Sequence, residues 1–159
     1  MKMLLAEPMK AARGRDQAGV AIVEFVVALP LLLLLLMATA EFGRAFLQYT
    51  TLSQGIQDGK RYVISNAMSG STGTIVVTEN VIDATKNLVV FGNVAGAGAA
   101  ALPGLTTEDI SVVSIGGGYI RVSGSYRYNP VFPLLPTFGF GEDLATLFTF
   151  QAAVVGRAL

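Results

Sequence analysis

The sequence predicts an α+β chain in which one long N-terminal helix crosses a membrane and continues into a small antiparallel β-sheet domain. Three observations predict it. Hydrophobic residues make up 52% of the 159 residues and charged residues only 14%, against roughly 25% in an ordinary soluble domain. The apolar residues are concentrated in one uncharged run, Phe25–Ala40, near the N-terminus. Beyond Asp109 the pattern changes to polar–apolar alternation on either side of a triple-glycine turn.

What is absent narrows the function. The chain has no histidine and no cysteine, which removes Ser-His-Asp and Cys-His catalysis, Cys/His zinc sites, thiol redox centres and disulfides. Eleven basic residues balance eleven acidic ones, so there is no global positive field to hold nucleic acid. The composition argues against an enzyme before any motif is read.

The first element is a leader, residues 1–19. It carries Lys2, Lys10, Arg13 and Arg15 against Glu7 and Asp16. A short leader rich in Lys and Arg stays cytoplasmic, which places the C-terminal domain across the membrane. The apolar segment follows, and residues 20–42 are the predicted span. The uncharged core Phe25–Ala40 includes Pro30 and the six leucines Leu31–Leu36, and extending it back to Val20 admits Glu24 as its one charge. About 20 apolar residues cross a bilayer, so the length suffices.

Two processing routes compete. In the first, Phe25–Leu36 is the apolar region of a secretory signal peptide and Ala38-Thr39-Ala40 is its small-x-small cleavage site, releasing a periplasmic or secreted binding module that begins at Glu41. In the second, a prepilin-type leader is cut after Gly19, on the cytoplasmic side, and the apolar segment is retained. Glu24 decides for the second. A carboxylate at the centre of a span costs roughly 2.5–3.5 kcal/mol, and a disposable signal peptide gains nothing from one. After a cut at Gly19, Val20 supplies a new α-ammonium and Glu24 becomes the fifth residue. The two charges can then neutralise each other between neighbouring subunits.

The surrounding residues carry a resemblance. The string Gly19-Val20-Ala21-Ile22-Val23-Glu24-Phe25, then Leu29-Pro30 with the leucine run, then Glu41-Phe42-Gly43-Arg44 and Asp58-Gly59-Lys60-Arg61-Tyr62, resembles the TadE-like pseudopilins of tight-adherence (Flp) pilus systems over residues 14–65. The resemblance implies a pilin-like fold and a minor, structural subunit. It also implies a prepilin peptidase that cuts between Gly19 and Val20, and assembly contacts through Glu24 and Phe25. Partners would be other pilin or pseudopilin subunits, the pilus assembly platform and the lipid bilayer of the bacterial inner membrane, with no cofactor. Glycine at the cut suits a peptidase that must approach the backbone closely, because it has no Cβ to clash.

Residues 43–66 form the outer half of the same helix. Phe42, Phe46, Tyr49, Leu52, Ile56 and Val63 recur at helical steps and predict a stripe packed on the domain's own sheet. Glu41 and Arg44 are expected to pair on the exposed side at i,i+3. Pro30 is expected to bend the helix, Gly55 and Gly59 to weaken its distal end, and Lys60 and Arg61 to cap its C-terminus.

The exported domain, residues 67–159, begins with a Ser/Thr/Gly linker at Met68–Thr74. Ile75–Val90 reads as helix through Val77, Val81, Ala84 and Leu88, and as strand at both ends. Gly92–Gly104 reads as a flexible loop; it lacks the Lys-Ser/Thr of a P-loop and the third glycine of a dinucleotide fingerprint. Asp109–Ile115 and Tyr119–Tyr128 form a hairpin around Gly116-Gly117-Gly118. In its second strand Ile120, Val122, Gly124, Tyr126 and Tyr128 face the core. Three prolines interrupt Asn129–Pro136. A final strand, Leu147–Val155, is apolar on both sides and is expected at the centre of the sheet or beneath the helix. The adjacent acids Glu108-Asp109 and Glu142-Asp143 are weak calcium candidates, since neighbouring side chains point apart. Lys60 and Lys86 have no serine at a spacing that would make a hydrolase.

Overall fold

A computed structural model describes residues 13–69, 75–131 and 148–158. Helix α1 runs from Arg13 to Asn66, through Pro30, so it begins inside the leader rather than at Val20. A short antiparallel pair follows, β1 (Met68–Ser69) with β2 (Ile75–Val76). The Ser/Thr/Gly segment expected as a linker therefore begins in a strand. Helix α2 (Glu79–Phe91) resolves the ambiguity that follows, with Thr85, Val89 and Val90 buried. A 3₁₀ turn at Thr107–Asp109 leads into a three-stranded antiparallel sheet, β3 (Ile110–Gly116), β4 (Tyr119–Arg127) and β5 (Thr149–Arg157), ordered β3-β4-β5.

The chain divides into two compact units, with the boundary between Ala40 and Glu41, inside α1. Among the described residues the core lies in the second unit. Leu52, Ile56 and Val63 of α1 meet Val89 and Val90 of α2, Leu102 and Leu105 of the following loop, Ile110 of β3, and Ile120, Val122 and Tyr126 of β4. The hairpin is as expected. Gly116, Gly117 and Gly118 all take positive φ (86°, 60° and 81°), which a side chain would resist, and the Ile120–Tyr128 alternation is buried on one face.

α1 lies along β4 with the chain direction reversed. Glu41 meets Tyr128, Gln48 meets Tyr126, Leu52 and Ile56 sit over Gly124, and Ile64 with Lys60 sits over Gly156. A Cβ on Gly124 would lie 2.9 Å from Ile110 Cδ1 and 3.1 Å from Ile56 Cδ1, so the sheet is bare where the helix crosses it. Gly55 and Gly59, expected to weaken the helix, instead admit α2. A Cβ on Gly59 would stand 2.6 Å from Val89 Cγ2, and one on Gly55 would stand 3.1 Å from the Val89 carbonyl oxygen. Their spacing opens a seat for Val89, and close packing there offsets the lower helix propensity of glycine.

Three other expectations change, and a fourth narrows to one of its alternatives. Of the two places expected for β5, the one beneath the helix holds; among the described strands β5 lies at the edge of the sheet and not at its centre. Its Phe150, Ala152, Val154 and Gly156 are half-buried under the helix, and the alternate residues are exposed. Gly92–Gly104 is an organised loop. Gly92 closes α2 with φ 71°, the Asn93 amide and carbonyl group bond Ala97, Ala101 N–H donates to Val90 O at 2.7 Å, and Leu102 is buried. Lys60 and Arg61 do not cap α1, which ends beyond them at Asn66; Arg61 pairs with Asp58 at 3.6 Å in solvent, and Lys60 lays its stem over Gly156. The apolar stripe divides: Leu52, Ile56 and Val63 are buried, whereas Phe42 and Phe46 are exposed. The buried face runs instead through Glu41, Gly59 and the interval between them.

Candidate functional site

Two places on α1 carry chemistry. The first is the apolar segment before Ala40. Among the described residues one helix is long and apolar enough to cross a membrane, and none of its most apolar window is buried. Gly19, Val20, Glu24 and Phe25 all lie on this helix and are exposed. Val20 and Glu24 are four residues apart, one turn along the same face, so charges at the two positions would be neighbours. A Cβ on Gly19 would meet nothing within 4 Å, so no contact inside the structure asks for glycine there. Among the described residues no cation pairs with Glu24.

The second is the start of the second unit. Glu41 is 6% exposed, and its Oε1 accepts the Tyr128 hydroxyl at 2.5 Å and the Val131 backbone N–H at 2.9 Å. The same hydroxyl lies 3.4 Å from the Glu41 carbonyl oxygen. Oε2 is buried with no hydrogen-bond partner. This replaces the expected Glu41–Arg44 pair. Arg44 is exposed on the helix, and Glu41 turns to the strand end instead. Burial, and then the hydrogen bond to the Glu41 carboxylate, push the Tyr128 phenol up to about 12 from 10.0. The neighbouring Tyr126 is also raised by burial, and its hydroxyl lies 3.1 Å from both Gln48 Oε1 and Pro103 O. Phe150 stacks on Tyr126, lies tilted against Tyr128 at 5.7 Å and meets Tyr49 edge-on at 5.8 Å. Local periodicity could not reveal this cluster, because Glu41 lies 87 and 90 residues from its partners Tyr128 and Val131. The one available signal was Tyr128 itself, a phenol on the inward face of a strand, which needs a partner for its hydroxyl.

Of the remaining candidates, the described acidic pair serves a local turn. Asp109 Oδ2 accepts both the backbone N–H and the hydroxyl of Thr106, closing a capping box, while Glu108 is exposed. Glu142 and Asp143 lie outside the described residues. Among the described residues no group of three acidic, histidine or cysteine side chains converges on a metal site.

Comparison with known proteins places the same segment in a family context. Residues 19–61 match the family model of the TadE-like protein, starting at Gly19 and ending at Arg61. This agrees with the resemblance read from residues 14–65. No curated protein matches the chain, and no solved structure does.

Proposed function

We propose that this protein is a minor pilin or pseudopilin, held in the bacterial inner membrane by α1, that assists assembly of a tight-adherence (Flp-type) pilus. The observation that carries the reading is the coincidence, on one exposed helix, of an unburied membrane-length apolar face, Glu24 near its start and a TadE-like match beginning at Gly19. A prepilin peptidase clips the chain between Gly19 and Val20, and the leader stays cytoplasmic with the sheet domain on the far side.

After the cut, the Val20 ammonium and the Glu24 carboxylate of adjacent subunits pair at one membrane depth, with Phe25 packed beside them. Helices surrounded by lipid gain little hydrophobic energy from each other, so close packing and such polar pairs set their register. The protein's role is structural; its partners are the peptidase, neighbouring pilin subunits and the assembly platform.

The test is the mature N-terminus, read by intact mass and N-terminal sequencing of membrane and sheared-surface fractions. A start at Val20 is expected, and Gly19→Leu should leave only the full-length precursor. A start at Glu41 would mean signal-peptide cleavage and a released binding module, and the reading would fall. Glu24→Ala should still insert and be cut, yet be lost from the assembled fraction; normal incorporation would remove the charge pair from the mechanism.

A further inference from the structure

The end of the second unit that is bonded to the apolar segment is unusually greasy. Phe42 is 73% exposed and Phe46 59%, one turn further along α1. Val131, whose N–H holds Glu41, is 50% exposed, and Phe148, whose carbonyl accepts the Tyr128 N–H at 2.9 Å, is 43% exposed. These four side chains come from three separate stretches of chain, and the Glu41–Tyr128 hydrogen bond gathers them at one end. Soluble surfaces seldom gather large apolar side chains in this way without an occupant.

We propose that these four side chains form a rim seated in the headgroup region of the bilayer, so that the sheet domain rests on the membrane rather than standing clear of it. The proposal rests on the membrane-spanning reading of α1 given above. Continuity favours lipid as the occupant. Residue 41 is peptide-bonded to Ala40, the last residue of the uncharged run, so the rim begins where the span leaves the hydrocarbon. Charge favours it too. Glu41, which would repel phosphate and resist an apolar phase, is withdrawn beneath Tyr128, while Arg44 remains exposed and can reach lipid phosphates from its long stem. Aromatic and aliphatic side chains beside a basic residue are what an interfacial surface carries. Burying Glu41 thus lengthens the lipid-compatible stretch past Ala40 to Phe42 and Phe46.

The chain has no cysteine, so single reporters can be placed at will. Phe42→Cys, Phe46→Cys, Val131→Cys and Phe148→Cys replace exposed side chains and should fold. Each full-length variant is labelled with an environment-sensitive nitrobenzoxadiazole and reconstituted in phosphatidylcholine–phosphatidylglycerol vesicles. Leu32→Cys reports the span, and Ile115→Cys reports the opposite, turn end of the sheet. The expected result is a blue shift, loss of iodide quenching and quenching by headgroup-region spin-labelled lipid at all four rim positions, with Ile115→Cys remaining aqueous. Rim probes as accessible to iodide as Ile115→Cys, with Leu32→Cys deep in lipid, would overturn the rim and leave the membrane span intact. Rim probes shielded from iodide but untouched by lipid quenchers, with shielding that rises with protein density, would assign the surface to a second copy and overturn the proposal. A Leu32→Cys probe that stays aqueous would overturn the span and the rim together.

Discussion

Leu32 and Leu52 are the same residue on the same helix, yet the first is 56% exposed and the second 2%. The stretch before Ala40 is the more apolar of the two and buries none of its most apolar window, while the stretch after Glu41 mixes polar and apolar residues and supplies three of the core's side chains. Hydrophobicity alone therefore does not say what a helix packs against. Before Ala40 the apolar side chains surround the helix, and such a segment is satisfied by lipid on all sides. After Glu41 small residues and a buried carboxylate mark one face, and that face is shaped to particular partners.

The sharpest way to break this contrast is to truncate the two leucines. Leu52→Ala should destabilise the second unit by about 2–5 kcal/mol, because it opens a cavity over Gly124. Leu32→Ala should leave that stability unchanged, as measured by urea unfolding of the detergent-solubilised protein followed through tyrosine fluorescence. Equal losses would mean that the two halves are one cooperative core. Next in size is Gly59→Leu, which drives a side chain into Val89 and should cost about 1–3 kcal/mol, readable as faster limited proteolysis.

Tyr128→Phe tests the junction itself. It leaves Glu41 buried with the Val131 N–H as its remaining hydrogen bond, at an expected cost of about 1–3 kcal/mol. The same variant should alter alkaline behaviour. The Tyr128 pKa is raised in the folded state from 10.0 to about 12, so its contribution is complete below pH 10 and lost as pH rises toward 12. Wild type should lose stability across that window more steeply than Tyr128→Phe, and identical slopes would remove Tyr128 as the titrating group. The smallest effect belongs to Asp58→Ala. Its ion pair with Arg61 is 3.6 Å long and largely exposed, so the change should be under about 0.5 kcal/mol.

These contrasts also mark what could be read in advance. The uncharged run, the Gly116–Gly118 turn and the Ile120–Tyr128 alternation are local patterns, and each appears where expected. The places that differ are those decided by distant partners. Glu41 next to Arg44 looks like a surface pair until a strand end arrives with a phenol and a free backbone N–H. Gly55 and Gly59 look like weak points until Val89 needs the space. β5, apolar on both faces, reads equally as central or as helix-covered, and only the arrival of α1 on one face decides for the second. For the site residues, Gly19, Val20, Glu24 and Phe25 were visible in the sequence as a motif; the Glu41–Tyr128 junction was not, because no local spacing encodes it.

The antiparallel seating of α1 along β4 has a mechanical consequence. A pull applied at Ala40 enters the second unit at Glu41 and runs along the length of the strand. Contacts at Tyr128, Tyr126 and Gly124 of that strand, and at Gly156 beside it, are then loaded in shear rather than peeled one by one. A load applied through the N-terminal helix would reach the sheet through all of these contacts, in a chain that has no disulfide to share it.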